Sequence, residues 1–116
     1  MTTIEISKDK NGAYRQILCM GHADYAKRYW FHREPDILCA AISALVISAA
    51  NALEELAGEE IAVVTNEETG FMKFDFPADA SLQEKSVFLL DALVFSLQQL
   101  SDKYGKQYLQ VNFKEV

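Results

Sequence analysis

Alternation of apolar and polar residues predicts five strands along the chain. In TTIEISKD, near the start, Ile4 and Ile6 alternate with polar residues, as they do in a strand that buries one face. Similar runs follow in AYRQILCM, EIAVVTN, FMKFDFP and QYLQVNFKE. In the last run Leu109, Val111 and Phe113 share one face, and we expect all three to point into the core.

Turn and capping residues divide these runs. Asn11-Gly12 predicts a hairpin between the first two strands, with a type I′ turn that needs positive φ at both residues. Asp36 is a suitable N-cap for a first helix, which is expected to run to about Ala57 and to stop at Gly58.

A second helix is predicted between the fourth and fifth strands. Ser81 and Glu84 have the spacing of a capping box at its start, and Gly105 marks its end. The element order is therefore β-β-α-β-β-α-β, in a single domain spanning residues 1–116. The simplest packing for this order is an α+β two-layer sandwich, with two helices on one face of a mixed or mostly antiparallel sheet.

Both helices are more apolar than one sheet face requires. Residues 37–53 carry no charge, but the stretch is slightly short for a membrane span and polar residues interrupt it, which favours a buried core helix. Ala40, Ala44, Ser48 and Ala52 recur every four residues and form one row of small side chains. The surplus of apolar helix surface indicates that the helices pack on each other, on a second subunit, or on both. A homodimer is therefore predicted.

Charge limits the class of partner. The chain has 11 Lys and Arg against 17 Asp and Glu, a net charge of −6. Direct binding to nucleic acid or to an anionic membrane is not expected, because phosphate binding needs a basic face, whereas a basic protein partner is compatible. The start of the chain lacks a signal-peptide pattern, which predicts a cytoplasmic protein whose cysteines are thiols.

A histidine at the end of the second strand and a cysteine in the first helical turn indicate a nucleophilic site. A strand's exit and the next helix's entry lie at the same edge of a two-layer domain, so we expect His22 and Cys39 to be neighbours. With Asp36 as the N-cap, Cys39 lies where unpaired amides and the helix dipole stabilise a thiolate and an oxyanion. Ser43, one turn further on, could hydrogen-bond into this site.

Structural roles remain open for each of these residues. A lone cysteine in an apolar helix is usually a small buried hydrophobe, which is also the role expected of Cys19 in mid-strand. A histidine at a strand end is often a surface or capping residue, capping fully accounts for Asp36, and Ser43 is compatible with a tolerated helix serine. Neither CxxC nor HxxxH occurs, so no metal site and no cofactor are expected.

The segment between the histidine and the helix carries four large aromatic residues, Tyr25, Tyr29, Trp30 and Phe31, beside charged ones. Either some of these rings fill the edge of the core, or they belong to a mobile substrate loop that closes over a bound peptide. A connection of this length without a regular pattern is near the size at which loops tend to be functional or disordered.

GHA at residues 21–23 and DILCAAIS at residues 36–43 resemble the paired motifs of the Prp family, the ribosomal-processing cysteine proteases. The resemblance extends over the whole chain, in its length, in its element order and in the sequence NALEELAG at the C-terminal end of the first helix. It implies a small α/β protein, usually dimeric, with His22 and Cys39 as catalytic residues and with Asp36 and Ser43 matching the family's supporting positions.

The resemblance also implies a substrate. Family members remove a short N-terminal extension from the bacterial large-subunit ribosomal protein L-twenty-seven, so the predicted function is a thiol endopeptidase acting on a basic ribosomal protein. The alternative is a ribosome-associated binding or assembly protein without turnover.

Overall fold

The computed structural model describes residues 1–26, 36–77 and 81–116. In chain order the elements are β1 (Thr2–Lys8), β2 (Tyr14–Met20), α1 (Ile37–Glu55), β3 (Ala62–Asn66), β4 (Phe71–Asp75), α2 (Glu84–Tyr104) and β5 (Leu109–Glu115). The order is the predicted one, and the element bounds differ from the expected bounds by a few residues.

The strands form one mixed sheet in the order β3-β4-β2-β1-β5. β1 and β2 are an antiparallel hairpin, and β4 pairs antiparallel with both β2 and β3. β5 runs parallel to β1, which requires a crossover, and the chain between them contains both helices. The predicted α+β class, a mixed sheet with two helices, is confirmed.

One face of the sheet and one stripe of each helix form the core. Ile4 and Ile6 of β1, Ile17 of β2 and Phe74 of β4 are almost completely buried. The helices contribute Leu38, Ile42, Val46, Ala50 and Leu53 from α1, and Leu90, Leu93, Val94 and Leu97 from α2. Burying one large apolar side chain contributes about 1.5–3 kcal/mol, so these stripes fix which side of each helix faces the sheet.

The outer side of α1 carries the row of small residues. Ala40, Ala44 and Ser48 are exposed, and Ile37 and Ile47 on the same side are 59% and 46% exposed. By length and hydropathy α1 also passes as a membrane span, and 28% of that stretch is buried. Its buried positions recur at helical spacing, which is the pattern of a helix packed on a sheet.

The β1–β2 turn differs from the prediction. Among the described non-glycine residues only Asp24 has positive φ, so Asn11 lacks the conformation that a type I′ turn needs. The N–H of Gly12, with φ 83°, instead donates to the Asp9 carbonyl at 2.9 Å. The Asp9 carboxylate accepts from the N–H of Asn11 and of Ala13, and this stabilises a connection that ends in a left-handed glycine.

The start of α2 also differs. The helix begins at Glu84 with Gln83 as its N-cap, and Gln83 makes no side-chain cap, so the predicted capping box of Ser81 with Glu84 is wrong. The Gln83 side chain donates to the carbonyl of Ala57 at 2.6 Å and to the carboxylate of Glu59 at 2.8 Å. The start of α2 is thus tied to the segment after α1, a tertiary contact that local spacing does not reveal.

β5 buries fewer residues than expected. Leu109 is fully buried and Val111 packs partly against the core, but Phe113 is 54% exposed, so its predicted core position is wrong. β5 lies at an edge of the sheet, where alternation alone does not ensure that a helix covers the inward side.

Candidate active site

His22 and Cys39 are neighbours in the structure. Nδ1 of the imidazole lies 3.9 Å from Sγ of the thiol, although the residues are 17 positions apart. His22 is exposed and Cys39 is half-buried. The prediction that these two side chains are neighbours is confirmed, while their catalytic roles stay a prediction.

The chain turns out of β2 through a glycine. Gly21 has φ 84°, and a Cβ at this position would lie 2.5 Å from the carbonyl oxygen of Met1. Ala23, two residues on, is fully buried in the core. The His22 side chain is therefore held between a tight turn and a buried anchor.

The Asp36 carboxylate connects the two segments that form the site. Oδ1 accepts from the N–H of Cys39 at 2.9 Å, as expected of an N-cap, and Oδ2 accepts from Tyr25 at 2.9 Å and Ala26 at 3.3 Å. Burial disfavours its charge, but these N–H groups and that of Leu38 hold the pKa of Asp36 below its usual range. Its described partners are backbone amides on both sides of the site.

Capping by Asp36 changes the expected oxyanion site. The N–H of Cys39 donates to the Asp36 carboxylate, and that of Ala40 donates to the Asp36 carbonyl at 3.0 Å. These two first-turn amides are therefore engaged in this conformation, contrary to the expectation that they face a ligand. Ser43 lines the same groove as Cys39 and offers a hydroxyl donor.

The second contact of the imidazole is a backbone carbonyl. Nε2 of His22 lies 3.0 Å from the carbonyl oxygen of Glu68, in the turn between β3 and β4. A carbonyl only accepts, so Nε2 is the donor in this bond, and in the neutral ring Nδ1, which faces Cys39, is then an acceptor. Sequence reasoning missed this partner because a backbone carbonyl has no residue signature.

A groove of about 450 Å³ runs from the His22–Cys39 pair along α1. One wall is α1 from Cys39 to Glu54, the other is β3 and the β3–β4 turn, and Met72 and Phe74 lie on the sheet between them. The helix rises by about 22 Å from Cys39 to Glu54, a length that about six or seven residues of extended peptide would span. The groove thus has the dimensions of a peptide site.

Tyr25 is the one member of the predicted substrate loop within the described residues. Its ring packs edge-on against Tyr104 and Tyr108, with centroid distances of 5.1 Å to each. This contact is of the kind that the core-edge alternative expects. Tyr29, Trp30 and Phe31 lie outside the described residues, so the lid hypothesis stays a prediction.

Cys19 is buried in β2, as expected of a core residue, and reaches the floor of the groove. Burial, with a smaller effect of nearby Cys39, raises its pKa to about 11, so it is a neutral thiol at physiological pH. Among the residues that the structure describes, no group of three His, Cys, Asp or Glu side chains could hold a metal ion.

Comparison with known sequences identifies relatives of this arrangement. A family model described as cysteine protease Prp matches residues 1–109. The ribosomal processing cysteine protease Prp of Bacillus subtilis is 33% identical over 86 residues, which cover 72% of each chain. The protein of the same name from Staphylococcus aureus is 25% identical over 114 residues, covering 98% of this chain and 100% of the relative.

Solved structures share the fold. The crystal structure of Staphylococcus aureus Prp with a covalently linked product peptide has a TM-score of 0.81 at 24% identity, covering 98% of this chain and 100% of the other. A crystal structure of a Streptococcus mutans protein has a TM-score of 0.82 at 26% identity, covering 100% and 96%. This likeness extends over the whole described architecture, including both helices and all five strands.

Proposed function

The chain belongs to the cysteine protease Prp family, and from this premise we propose that it removes the N-terminal extension of the bacterial ribosomal protein L-twenty-seven in the cytoplasm. Relatives from two organisms carry the name ribosomal processing cysteine protease. The observation that carries the proposal for this chain is the approach of His22 Nδ1 to Cys39 Sγ at 3.9 Å on the wall of a peptide-sized groove.

The proposed chemistry is acyl transfer through a thioester. His22 Nδ1 takes the proton of Cys39, and the thiolate attacks the scissile carbonyl carbon. The imidazolium then protonates the leaving amine, and water activated by His22 hydrolyses the thioester and restores the thiol. The Ser43 hydroxyl is the proposed donor to the oxyanion, since the Cys39 and Ala40 amides are engaged by Asp36.

The groove supports a basic substrate. Its apolar floor suits the side chains of an extended peptide, while Glu54 near one end and Glu67 on the β3–β4 turn add two carboxylates to its rim. Both glutamates are exposed, so each would attract a lysine or arginine of the substrate from solvent. A ribosomal protein rich in basic residues matches this lining and the net charge of −6.

The outer side of α1 supports a homodimer. Ile37, Ala40, Ala44 and Ile47 form an exposed apolar stripe, and the small residues in it allow another helix to approach closely. Because Ile47 also lines the groove, a second copy packed on this stripe would lie beside the peptide site.

The test is incubation of the purified protein with the host's full-length ribosomal protein, followed by intact-mass spectrometry. A protease releases a short N-terminal peptide at one position, and the Cys39→Ala variant, treated identically, releases none. A ribosome-associated protein without turnover would bind the ribosomal protein and leave its mass unchanged, which would refute the proposed activity.

A further inference from the structure

The turn between β3 and β4 lies against the imidazole of His22. Its Glu68 carbonyl is 3.0 Å from Nε2, on the side of the ring opposite to Cys39. Asn66 and Gly70, at the two ends of the turn, both line the groove. The turn therefore contacts the ring that the proposed mechanism uses for proton transfer.

Gly70 allows this close approach. It has φ 67°, and a Cβ built on it would lie 2.3 Å from the carbonyl oxygen of Gly21 and 3.1 Å from Cε1 of His22. Any other residue would push the turn away from the backbone that precedes the imidazole. The glycine is thus required by contact as well as by φ.

The Asn66 side chain holds the peptide group between Glu67 and Glu68, which directly precedes the carbonyl that contacts His22. Its Oδ1 accepts from the N–H of Glu68 at 3.1 Å, and the Gly70 N–H donates to the Glu67 carbonyl at 3.3 Å. Thr69 adds a hydroxyl bond to the Asn66 carbonyl at 3.4 Å. These bonds close the turn on itself.

We propose that the β3–β4 turn is a positioning element for His22, which holds the Nε2–H tautomer through the Glu68 carbonyl and aims Nδ1 at Cys39. This inference rests on the proposed Cys–His chemistry. The carbonyl occupies the place that a carboxylate takes in a Ser-His-Asp triad. It fixes the ring as a carboxylate does, and the bond strengthens when the ring becomes an imidazolium and donates as a cation. Asn66 and Gly70 act through this carbonyl and are positioning residues.

The experiment compares Gly70→Ala with Gly58→Ala. Gly58 has φ 68°, but a Cβ there meets nothing within 4 Å, so both variants carry the same backbone strain and only one touches His22. Gly70→Ala is expected to lower kcat roughly tenfold to a hundredfold, part of what general acid–base catalysis contributes, and to shift the pH–rate profile. Gly58→Ala is expected to keep the wild-type profile.

Asn66 provides the second variant, which does not add a clash. Asn66→Ala removes the acceptor for the Glu68 N–H and should shift the pH–rate profile in the same direction as Gly70→Ala. Asn66→Ser keeps a short side-chain acceptor without adding a charge beside the imidazole, and it should restore the profile. KM should change less than kcat in Asn66→Ala, by about twofold or less, if the residue acts on the imidazole rather than on the peptide.

Two readouts separate this proposal from the proposed substrate. The pH dependence of Cys39 alkylation needs no peptide, and the ¹⁵N shifts of the His22 ring, assigned with His22→Gln, report the tautomer directly. Equal effects of Gly70→Ala and Gly58→Ala, an unchanged alkylation profile in Asn66→Ala, or a neutral ring with its proton on Nδ1 would each overturn the role of the turn. A shifted alkylation profile with no cleavage of the ribosomal protein would support the turn and reject the substrate.

Discussion

His22 and Cys39 face each other, Nδ1 to Sγ at 3.9 Å, where a single carboxylate links the segment after His22 to the start of α1. Asp36 joins the amides that follow His22 in the chain to the amide of Cys39 itself. The distance is longer than a proton-transfer hydrogen bond, and such contacts commonly tighten when the substrate is bound. The consequences of this arrangement for the Cys39 thiol and for the Asp36 carboxylate can be measured.

Replacement of the thiol should abolish cleavage and leave the fold intact. Cys39 is half-buried at the third position of α1, where alanine fits and is a better helix former. We expect Cys39→Ala to lower the cleavage rate at least about a thousandfold, as removal of the nucleophile does in other proteases. Its midpoint of thermal unfolding should stay close to that of the wild type. Cleavage that persisted in this variant would remove Cys39 from the nucleophile role.

Alkylation should distinguish the two cysteines. Iodoacetamide near neutral pH is expected to add one group, at Cys39, because Cys19 is 5% exposed and burial raises its pKa to about 11. Cys39→Ala should take up no label until the protein is unfolded, and Cys19→Ala should still take up one. Two labels in the native wild-type protein would contradict the assigned burial of Cys19.

Loss of the Asp36 carboxylate should weaken both stability and catalysis. Asp36→Ala removes a cap whose usual contribution is about 1 kcal/mol, within a range of 0.5–2, to the free energy of unfolding. Asp36→Asn keeps one acceptor oxygen and should fall between alanine and the wild type. Denaturant unfolding measures the first effect, and peptide cleavage measures the second.

The stability that the Asp36 charge contributes should depend on pH in a defined direction. The folded pKa of Asp36 lies below the ordinary value of 3.8, so its charge stabilises the fold fully above that value. The stability difference between wild type and Asp36→Asn should be constant near neutrality and should shrink as pH falls below 3.8 through the folded pKa. A difference that grew on acidification would refute the assigned bonding.

A carboxylate on the groove should raise affinity for basic peptides. Glu54→Gln is expected to raise KM for a lysine-containing peptide about twofold to fivefold at low salt, the range for an exposed ion pair, with little change in kcat. Glu55→Gln is the matched control, since Glu55 is exposed on the same helix but does not line the groove. Equal effects of the two variants would point to net charge rather than to the groove.

The exposed stripe of α1 should mediate self-association. A dimeric mass is expected by light scattering at micromolar concentration, and Ala44→Glu should shift it to the monomeric mass by burying a charge between helices. Ala13→Glu, which adds the same charge in the β1–β2 turn, should leave the dimer intact. A monomeric wild-type protein would reject the homodimer.

Local sequence rules predicted the cap of α1 and the approach of His22 to Cys39, but not the geometry of the β1–β2 turn or the start of α2. Asp36 caps α1 as expected, because the cap depends on residues close together in the chain. His22 meets Cys39 because the exit of β2 and the start of α1 lie at the same edge of the domain. The contacts of the Gln83 side chain with Ala57 and Glu59 were missed, because they join segments far apart in the chain. The Glu68 carbonyl beside His22 was missed for the same reason, and because a backbone carbonyl has no residue signature. Phe113 was assigned to the core because alternation shows which way a side chain points but not what covers it.

The parallel pairing of β1 with β5 determines when, during synthesis, the domain can complete its fold. Ile4 pairs with Val111, and Leu109 belongs to the core, so β1 lacks one neighbour until residues 109–115 have been synthesised. Contacts between such distant positions form late and slow the folding of a small domain. The emerging chain would therefore expose Cys39 before the sheet is complete, and we expect peptide hydrolysis to begin only after β5 has left the ribosomal exit tunnel.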